Sequence, residues 1–326
     1  MPAHARSRAC SVISQTNGVS KTFGHFIAFK YRPGTQLDMC RIMMISSAGE
    51  IPSSIIPSFR LLADRGRTRW GTKEETLRQG KPTGHRDGWG IAVSKDGQWL
   101  GEPRISDVDR DPRLGDASAE GSGFVAATER FDLSGPGVLI AHLRRRGSGT
   151  ICNRNTHPYR EGKYVFCHNG VVSWLASEDR DAPGEDAKND THALFRRILN
   201  KVETGSSEEN ALLDTIAEVH QRDLELPWKE QYTSLTSVLS DGQTSWVVRD
   251  VNLLDEPGKP GYSLIADGLY TMFLAQPTDL PGVAIACQER IPLGVGAQPA
   301  GWQPMSPLEL AVIRNGVVVK REPIPA

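Results

Sequence analysis

Five short strings, in chain order, carry side chains that could do chemistry together. They are Met39-Cys40-Arg41, His85-Arg86-Asp87-Gly88-Trp89-Gly90, His142-Leu143-Arg144, Asn155-Thr156-His157-Pro158-Tyr159 and His168-Asn169-Gly170, and Asn189-Asp190-Thr191 follows them. Together they supply a thiol, a guanidinium, a side-chain amide beside a glycine, and a carboxylate. Such a set can hold a free amino acid by its charged groups and attack its side-chain amide. Each string alone says little; the weight lies in the ordered set.

Cys40 follows an initiator-type methionine, and aminopeptidases remove Met before small side chains. As a first residue it would carry a thiol and a free α-amine. A thiol with an ordinary pKa of about 8.5 is mostly neutral at pH 7, whereas an α-amine at about 7.7–8.0 is in range to accept its proton. A nucleophile that uses its own amine needs no separate catalytic histidine. The plain alternative is a buried cysteine at the start of a strand.

Cys40, His142-Leu143-Arg144, His168-Asn169-Gly170 and Asn189-Asp190-Thr191 resemble the type-2 (N-terminal nucleophile) glutamine amidotransferases. The stretch Gly84 to Ala92, with Asn155 to Tyr159, is most similar to the stand-alone, single-domain branch. Gln303-Pro304-Met305 and a final hairpin match it less specifically. The resemblance implies a four-layer αββα sandwich, an α+β fold of the N-terminal nucleophile hydrolase type. It implies that Cys40 attacks the glutamine side-chain carbonyl to form a γ-glutamyl thioester, with the Asn169 amide and the Gly170 N–H as oxyanion hole. Two converging donors suit a tetrahedral oxyanion, and losing one typically costs about 10²–10³ in rate. Gly170 is expected to permit close backbone approach and a conformation closed to other residues. The resemblance further implies that Arg144 forks onto the substrate α-carboxylate, Asp190 accepts from the α-ammonium, and His168 lines the substrate site. His192 stands where relatives often carry an acid, and Arg145-Arg146-Gly147 replaces a small-residue run. These departures leave a γ-glutamyl amide or thioether conjugate open as substrate beside glutamine.

Other reactive side chains have simpler readings. His85, His142, His157, His168 and His192 match no zinc spacing and have no cysteine pair, so no metal and no cofactor is expected. His142 and His168 are expected to anchor loops through hydrogen bonds. His85-Arg86-Asp87 matches part of a kinase catalytic loop without the other kinase strings. Asp87 and Trp89 are expected to organise a turn and a wall beside Cys40. Cys152 and Cys167 read as packed thiols, and the acidic run from Glu178 to Asp186 as a solvated loop.

The chain has 326 residues, 38% hydrophobic and 24% charged, with a net charge of −1. That length can bury a large core, and the near-neutral balance gives no electrostatic case for nucleic acid or an anionic membrane. No apolar stretch approaches the roughly 20 residues of a membrane span. The 5 cysteines, odd in number and irregularly spaced, fit a reducing compartment, the cytoplasm. Residues 1–39 form a basic, Ser/Thr-rich extension that reads as sequence upstream of the true start or as a removed leader, leaving 40–326 as the domain.

The elements that must position these residues follow from periodicity. Residues 41–46 read as a buried strand, Ile55 to Ala63 as a helix, and Gly90 to Ser94, Val138 to Leu143 and Tyr164 to His168 as strands. Asn189 to Val202 reads as a helix with Leu194, Ile198, Leu199 and Val202 on one face, placing Asp190 in its first turn, where an acid is favoured electrostatically. Ser206-Ser207-Glu208-Glu209 reads as a capping box before a helix with a stripe of Leu212, Leu213, Ile216 and Val219. Asp241-Gly242 and Asn315-Gly316 read as hairpin turns. Strand groups around a helix pair suggest stacked sheets under helices.

No recognisable phosphate-binding or acceptor-domain motif accompanies these strings. The chain therefore reads as an enzyme that hydrolyses glutamine or a small γ-glutamyl compound outright, with an oligomer left open. The alternatives are an ammonia-supplying subunit of a separate synthase, a γ-glutamyl thiol-conjugate hydrolase resembling those of the ergothioneine pathway, and a silent amino-acid-binding protein.

Overall fold

The computed structural model describes residues 40–65, 85, 88–100, 105–106, 123–145, 156–176, 189–252, 268–293 and 301–325. The extension 1–39, Arg86, Asp87, Arg146, Gly147, Cys152, Asn155 and the acidic run 178–186 lie outside them.

Strand β1 (Arg41–Ser47) is buried at every position. Met43 and Ile45 enter one core while Ile42 and Met44 enter another. A sheet covered on both faces needs apolar residues on both, which is why this run does not alternate. The stretch after it, expected as one helix, comprises a 3-10 turn (Ser53–Ile55), α1 (Ile56–Arg60) and α2 (Leu62–Arg65). Pro57 has no N–H to give the Ser53 carbonyl, so the α-helical ladder cannot run through it from Ser53.

Next come β2 (Trp89–Lys95), β3 (Gln98–Trp99), β4 (Ile105–Ser106), α3 (Phe124–Thr128), β5 (Gly137–Leu143), β6 (Tyr159–Glu161) and β7 (Tyr164–Asn169). The short α4 (Ser173–Ala176) precedes the two long helices α5 (Asp190–Glu203) and α6 (Glu208–Asp223). The chain then runs through β8 (Thr236–Ser240), β9 (Thr244–Arg249), β10 (Phe273–Ala275), β11 (Val283–Cys287), β12 (Gln303–Pro304), β13 (Glu309–Arg314) and β14 (Val317–Pro323).

Two antiparallel sheets result among the described residues. The first has the order β12-β10-β11-β1-β5-β2-β3 with β4 also on β2, and the second β14-β13-β9-β8-β7-β6. Ile42, Met44, Ile140 and Ala286 of the first sheet share a core with Val165, Cys167, Val238 and Val247 of the second, so the sheets pack face to face. The far face of the first sheet meets Ile56, Phe59 and Phe124 of α1 and α3. The far face of the second meets Leu194, Phe195, Ile198, Leu212 and Ile216 of α5 and α6. Phe195 stacks on Phe166 of β7 with centroids 5.4 Å apart. Each such fully buried side chain contributes roughly 1.5–3 kcal/mol. No helix among the described residues is long and apolar enough to cross a membrane.

Helix α5 starts where its pattern places it: Asn189 caps it by accepting from the His192 N–H at 2.8 Å. The box expected before α6 does not form. Its cap is Ser207, whose Oγ accepts from the Asn210 N–H at 3.2 Å, so position N3 holds an asparagine. Glu208 instead accepts from the Tyr164 hydroxyl at 2.7 Å, and Glu209 pairs with Lys320 at 2.7 Å.

Both expected hairpins are present, β8-β9 around Asp241-Gly242 and β13-β14 around Asn315-Gly316. The second also bolts the sheets together. Gly316, at φ +69°, donates its N–H to Ser46 Oγ at 3.0 Å, and a Cβ there would stand 1.7 Å from Gly282 O. Gly316→Ala should therefore destabilise the protein by at least the roughly 1–3 kcal/mol of a strained left-handed residue. Chemical denaturation checks this; an unchanged midpoint would show that the turn is not so constrained.

Candidate active site

Cys40 immediately precedes β1. The antiparallel register sets Arg41 opposite Leu143 and Ile42 opposite His142, which brings Cys40 level with Arg144 at the end of β5. Cys40 Sγ lies 3.5 Å from the carbonyl oxygen of Arg145. Arg144 is buried, and its N–H donates to Gly88 O at 2.8 Å, tying the β5 end to the turn before β2. Trp89 forms no wall here. It packs edge-on to Phe124 at 5.5 Å, in the helix-side core, because its strand parity turns it away from the inter-sheet face of Gly90 and His142.

Asn169 ends β7 on the opposing sheet, with the parity of Val165 and Cys167, and meets Cys40 across the gap. Its Oδ1 accepts from the Cys40 N–H at 3.2 Å, and its Nδ2 donates to Cys40 O at 3.0 Å and to Gln288 Oε1 at 3.0 Å. Both Nδ2 hydrogens are thus engaged. The Cys40 carbonyl also accepts from Arg41 Nη1 at 2.8 Å, and the buried Arg41 pairs through Nε with Glu289 at 3.0 Å.

Gly170 is required for a steric reason alone. Its φ lies outside the left-handed region, contrary to expectation, but a Cβ would sit 1.9 Å from Ser234 O and 2.8 Å from His168 Nε2. His168 is buried and uses both ring nitrogens inside the protein. Nε2 faces Ser234 O at 2.8 Å and Nδ1 faces the Thr191 hydroxyl at 3.1 Å. A carbonyl can only accept, so Nε2 carries the proton and Nδ1 accepts from Thr191. Burial holds the ring's pKa below its usual value despite the Asp190 and Asp250 carboxylates. His168 is therefore a neutral anchor for the end of β7, with both ring nitrogens engaged inside the protein.

Asp190 lies in the first turn of α5. Its Oδ2 accepts from the Val172 N–H at 2.7 Å and its Oδ1 from the Thr191 N–H at 2.9 Å. A carboxylate oxygen can accept twice, so acceptor capacity remains for an ammonium. Behind this loop, Ser234 Oγ donates to Asp250 O at 2.7 Å, while the Asp250 carboxylate takes His220 at 2.7 Å and the Tyr232 hydroxyl at 2.9 Å.

The fold thus gathers Cys40, Arg144, Asn169, Gly170 and Asp190 around adjoining sheet ends, with His168 behind them. Sequence reasoning missed Gln288 and Arg41. The arginine was visible as a lone charge beside Cys40 in an apolar strand. Nothing marked the glutamine, one polar residue after the apolar run of β11. Cys167 and Cys287 are buried packed thiols; burial raises both, Cys287 to about 12. His192, the departure in the α5 motif, pairs with Glu161 at 3.5 Å and lies edge-on to Tyr159.

His142 does not anchor a loop by hydrogen bonds. Neither ring nitrogen has such a partner among the described residues, and the ring instead lies 4.6 Å from that of His157. Burial, with the Arg144 charge adding, pushes its pKa down from 6.5 to about 3. The unfolded chain takes up this proton as pH falls through 6.5 and the folded protein does not until near 3, so stability is lost across that window. His142→Leu should therefore melt with a shallower fall in Tm between about pH 6.5 and pH 4. Melting curves over that range test this, and equal slopes would contradict it.

An uncharacterized protein of Methanocaldococcus jannaschii is 24% identical over 178 residues, 51% of this chain and 43% of that relative, so the aligned stretch spans under half of its length. A solved glutamine aminotransferase class-II domain protein from Silicibacter pomeroyi overlays 88% of this chain and 100% of its own with a TM-score of 0.50 at 15% identity, a likeness of fold. A second solved structure, from Pseudomonas aeruginosa, covers 87% of this chain and 99% of its own at 15% identity, with a TM-score of 0.44, too low to compare the folds in detail. The family model for class-II glutamine amidotransferases matches residues 39–325, and the chain belongs to that family.

Proposed function

We propose that this protein hydrolyses the side-chain amide of glutamine, or of a small γ-glutamyl compound, through a γ-glutamyl thioester on Cys40. The observation that carries the reading is the reciprocal pairing of Cys40 with Asn169, level with the buried Arg144. With residues 1–39 attached the Cys40 nitrogen is an amide and has no basic lone pair. The reading therefore includes their removal, or a start at Met39 followed by loss of the methionine. The match from residue 39 onward agrees with it.

In the mature form the α-amine takes the Sγ proton as sulfur attacks the substrate carbonyl carbon. The charge that develops on oxygen is met by the Gly170 N–H and by the Asn169 Nδ2 hydrogen that rests on the Cys40 carbonyl. The amine then returns the proton to the leaving nitrogen, ammonia departs, and water attacks the thioester to release the acid and regenerate the thiol. Arg144 forks onto the α-carboxylate and Asp190 accepts from the α-ammonium, selecting a free amino acid over a peptide-bound one. The three cores, two outside the sheets and one between them, support the helix–sheet–sheet–helix layering of N-terminal nucleophile hydrolases.

Cys40→Ala should abolish turnover of glutamine while leaving calorimetric binding intact; near-wild-type hydrolysis would overturn the nucleophile. Arg144→Ala should act on binding, by about 2–5 kcal/mol for a buried carboxylate pair. A loss confined to kcat, with KM unmoved, would contradict its role.

A further inference from the structure

We infer that Gln288 is a positioning residue that fixes which way round the Asn169 amide faces Cys40. The inference rests on reading Cys40 as the nucleophile and Asn169 as its partner. Gln288 directly follows β11 and is 2% exposed, on the inter-sheet face. Its Oε1 accepts from the Ile42 N–H at 3.0 Å and from Asn169 Nδ2 at 3.0 Å, and its own backbone N–H donates to Ile42 O at 3.1 Å.

The oxygen and nitrogen of a side-chain amide have nearly the same shape, so only their partners decide the orientation. A backbone N–H can only donate. The Gln288 atom facing Ile42 must therefore be its oxygen, and that oxygen needs a donor from Asn169. Nδ2 is thereby turned toward Gln288, and Oδ1 toward the Cys40 nitrogen. A backbone group of β1 thus sets, through one glutamine, the acceptor that meets the nucleophile's nitrogen. The Cys40 carbonyl asks for the same orientation, but that bond is the one the oxyanion displaces. During the reaction the Gln288 bond is then the one that holds the Nδ2 end of the amide, opposite the Cys40 nitrogen on Oδ1. Gln288 Nε2 is buried with no hydrogen-bond partner among the described residues. An unsatisfied buried donor is destabilising, and the two bonds to Oε1 are what offset it here.

The test compares wild type, Gln288→Leu, which removes the acceptor, and Gln288→Glu, which keeps one at Oε1. Glutamine hydrolysis is measured on the full chain as expressed, with its terminus read by intact mass. Gln288→Leu should lose about 10–100-fold in kcat with KM within about threefold, as expected when a reacting group is misplaced rather than removed. Gln288→Glu should recover at least about tenfold of that loss. A readout independent of glutamine is the pH dependence of Cys40 alkylation by iodoacetamide. With the Gln288 bond gone the Asn169 amide is held less firmly, so Oδ1 favours the Cys40 ammonium less and there is less positive charge beside the thiol. The alkylation midpoint of Gln288→Leu should therefore move to higher pH, while Arg41, Arg144, Arg145 and Asp190 around it are unchanged.

Wild-type kcat together with a wild-type alkylation profile in Gln288→Leu would overturn the inference. So would a glutamate variant no faster than the leucine one. If Gln288→Leu does not fold, Gln288→Glu decides: kcat within about tenfold of wild type upholds the acceptor role, and a larger loss refutes it. An alkylation shift in a protein whose wild type hydrolyses no glutamine would uphold the positioning and refute the proposed substrate.

Discussion

The structure depends most on one cross-sheet contact, the pair of hydrogen bonds that joins the backbone of Cys40 to the side chain of Asn169. Cys40 opens the first sheet and Asn169 closes a strand of the second, so the bonds exist only if both sheets are in register and face to face. The core of Ile42, Met44, Val165 and Cys167 supplies that condition from one side. The Gly316 turn, docked on Ser46 and Gly282 at the opposite end of β1, supplies it from the other. A small displacement between the sheets would part the thiol from the amide, and placement errors near 1 Å cost orders of magnitude in rate.

Rigidity around the site comes from polar groups that are satisfied inside the protein. His168 uses both nitrogens to tie the end of β7 to Ser234 and Thr191, and Asp190 ties Val172 to the start of α5. Ser234 is in turn held by the Asp250 carbonyl, next to the His220 and Tyr232 contacts of the Asp250 carboxylate. Buried networks of this kind specify one arrangement when every member is paired. Burial keeps His168 neutral against the pull of the nearby carboxylates, and the network makes it a support.

Much of this was legible in the sequence because local rules and tertiary context agree. Asn189 followed by an apolar stripe gives a capped helix, and Asp-Gly and Asn-Gly between apolar runs give hairpins. The unalternating run after Cys40 gives a strand buried on both faces. Where expectation failed, a competing interaction decided. Glu208 and Glu209 turn to Tyr164 and Lys320 rather than back onto a cap. Trp89 follows strand parity into the outer core. Gly170 answers to Ser234 and His168, neighbours distant or invisible in any local pattern. Gln288 could not have been found, since its role arises from a register between β1 and β11 some 246 residues apart in sequence.

The central claim is that Cys40 is the mature first residue and a nucleophile toward glutamine. Intact mass of the expressed protein, taken with and without a glutamine analogue bearing an electrophilic side chain, tests it most directly. The account predicts a mass that begins at Cys40 and gains a single adduct, lost when Cys40 is replaced by alanine. A mass that retains residues 1–39 and takes up no adduct would contradict it.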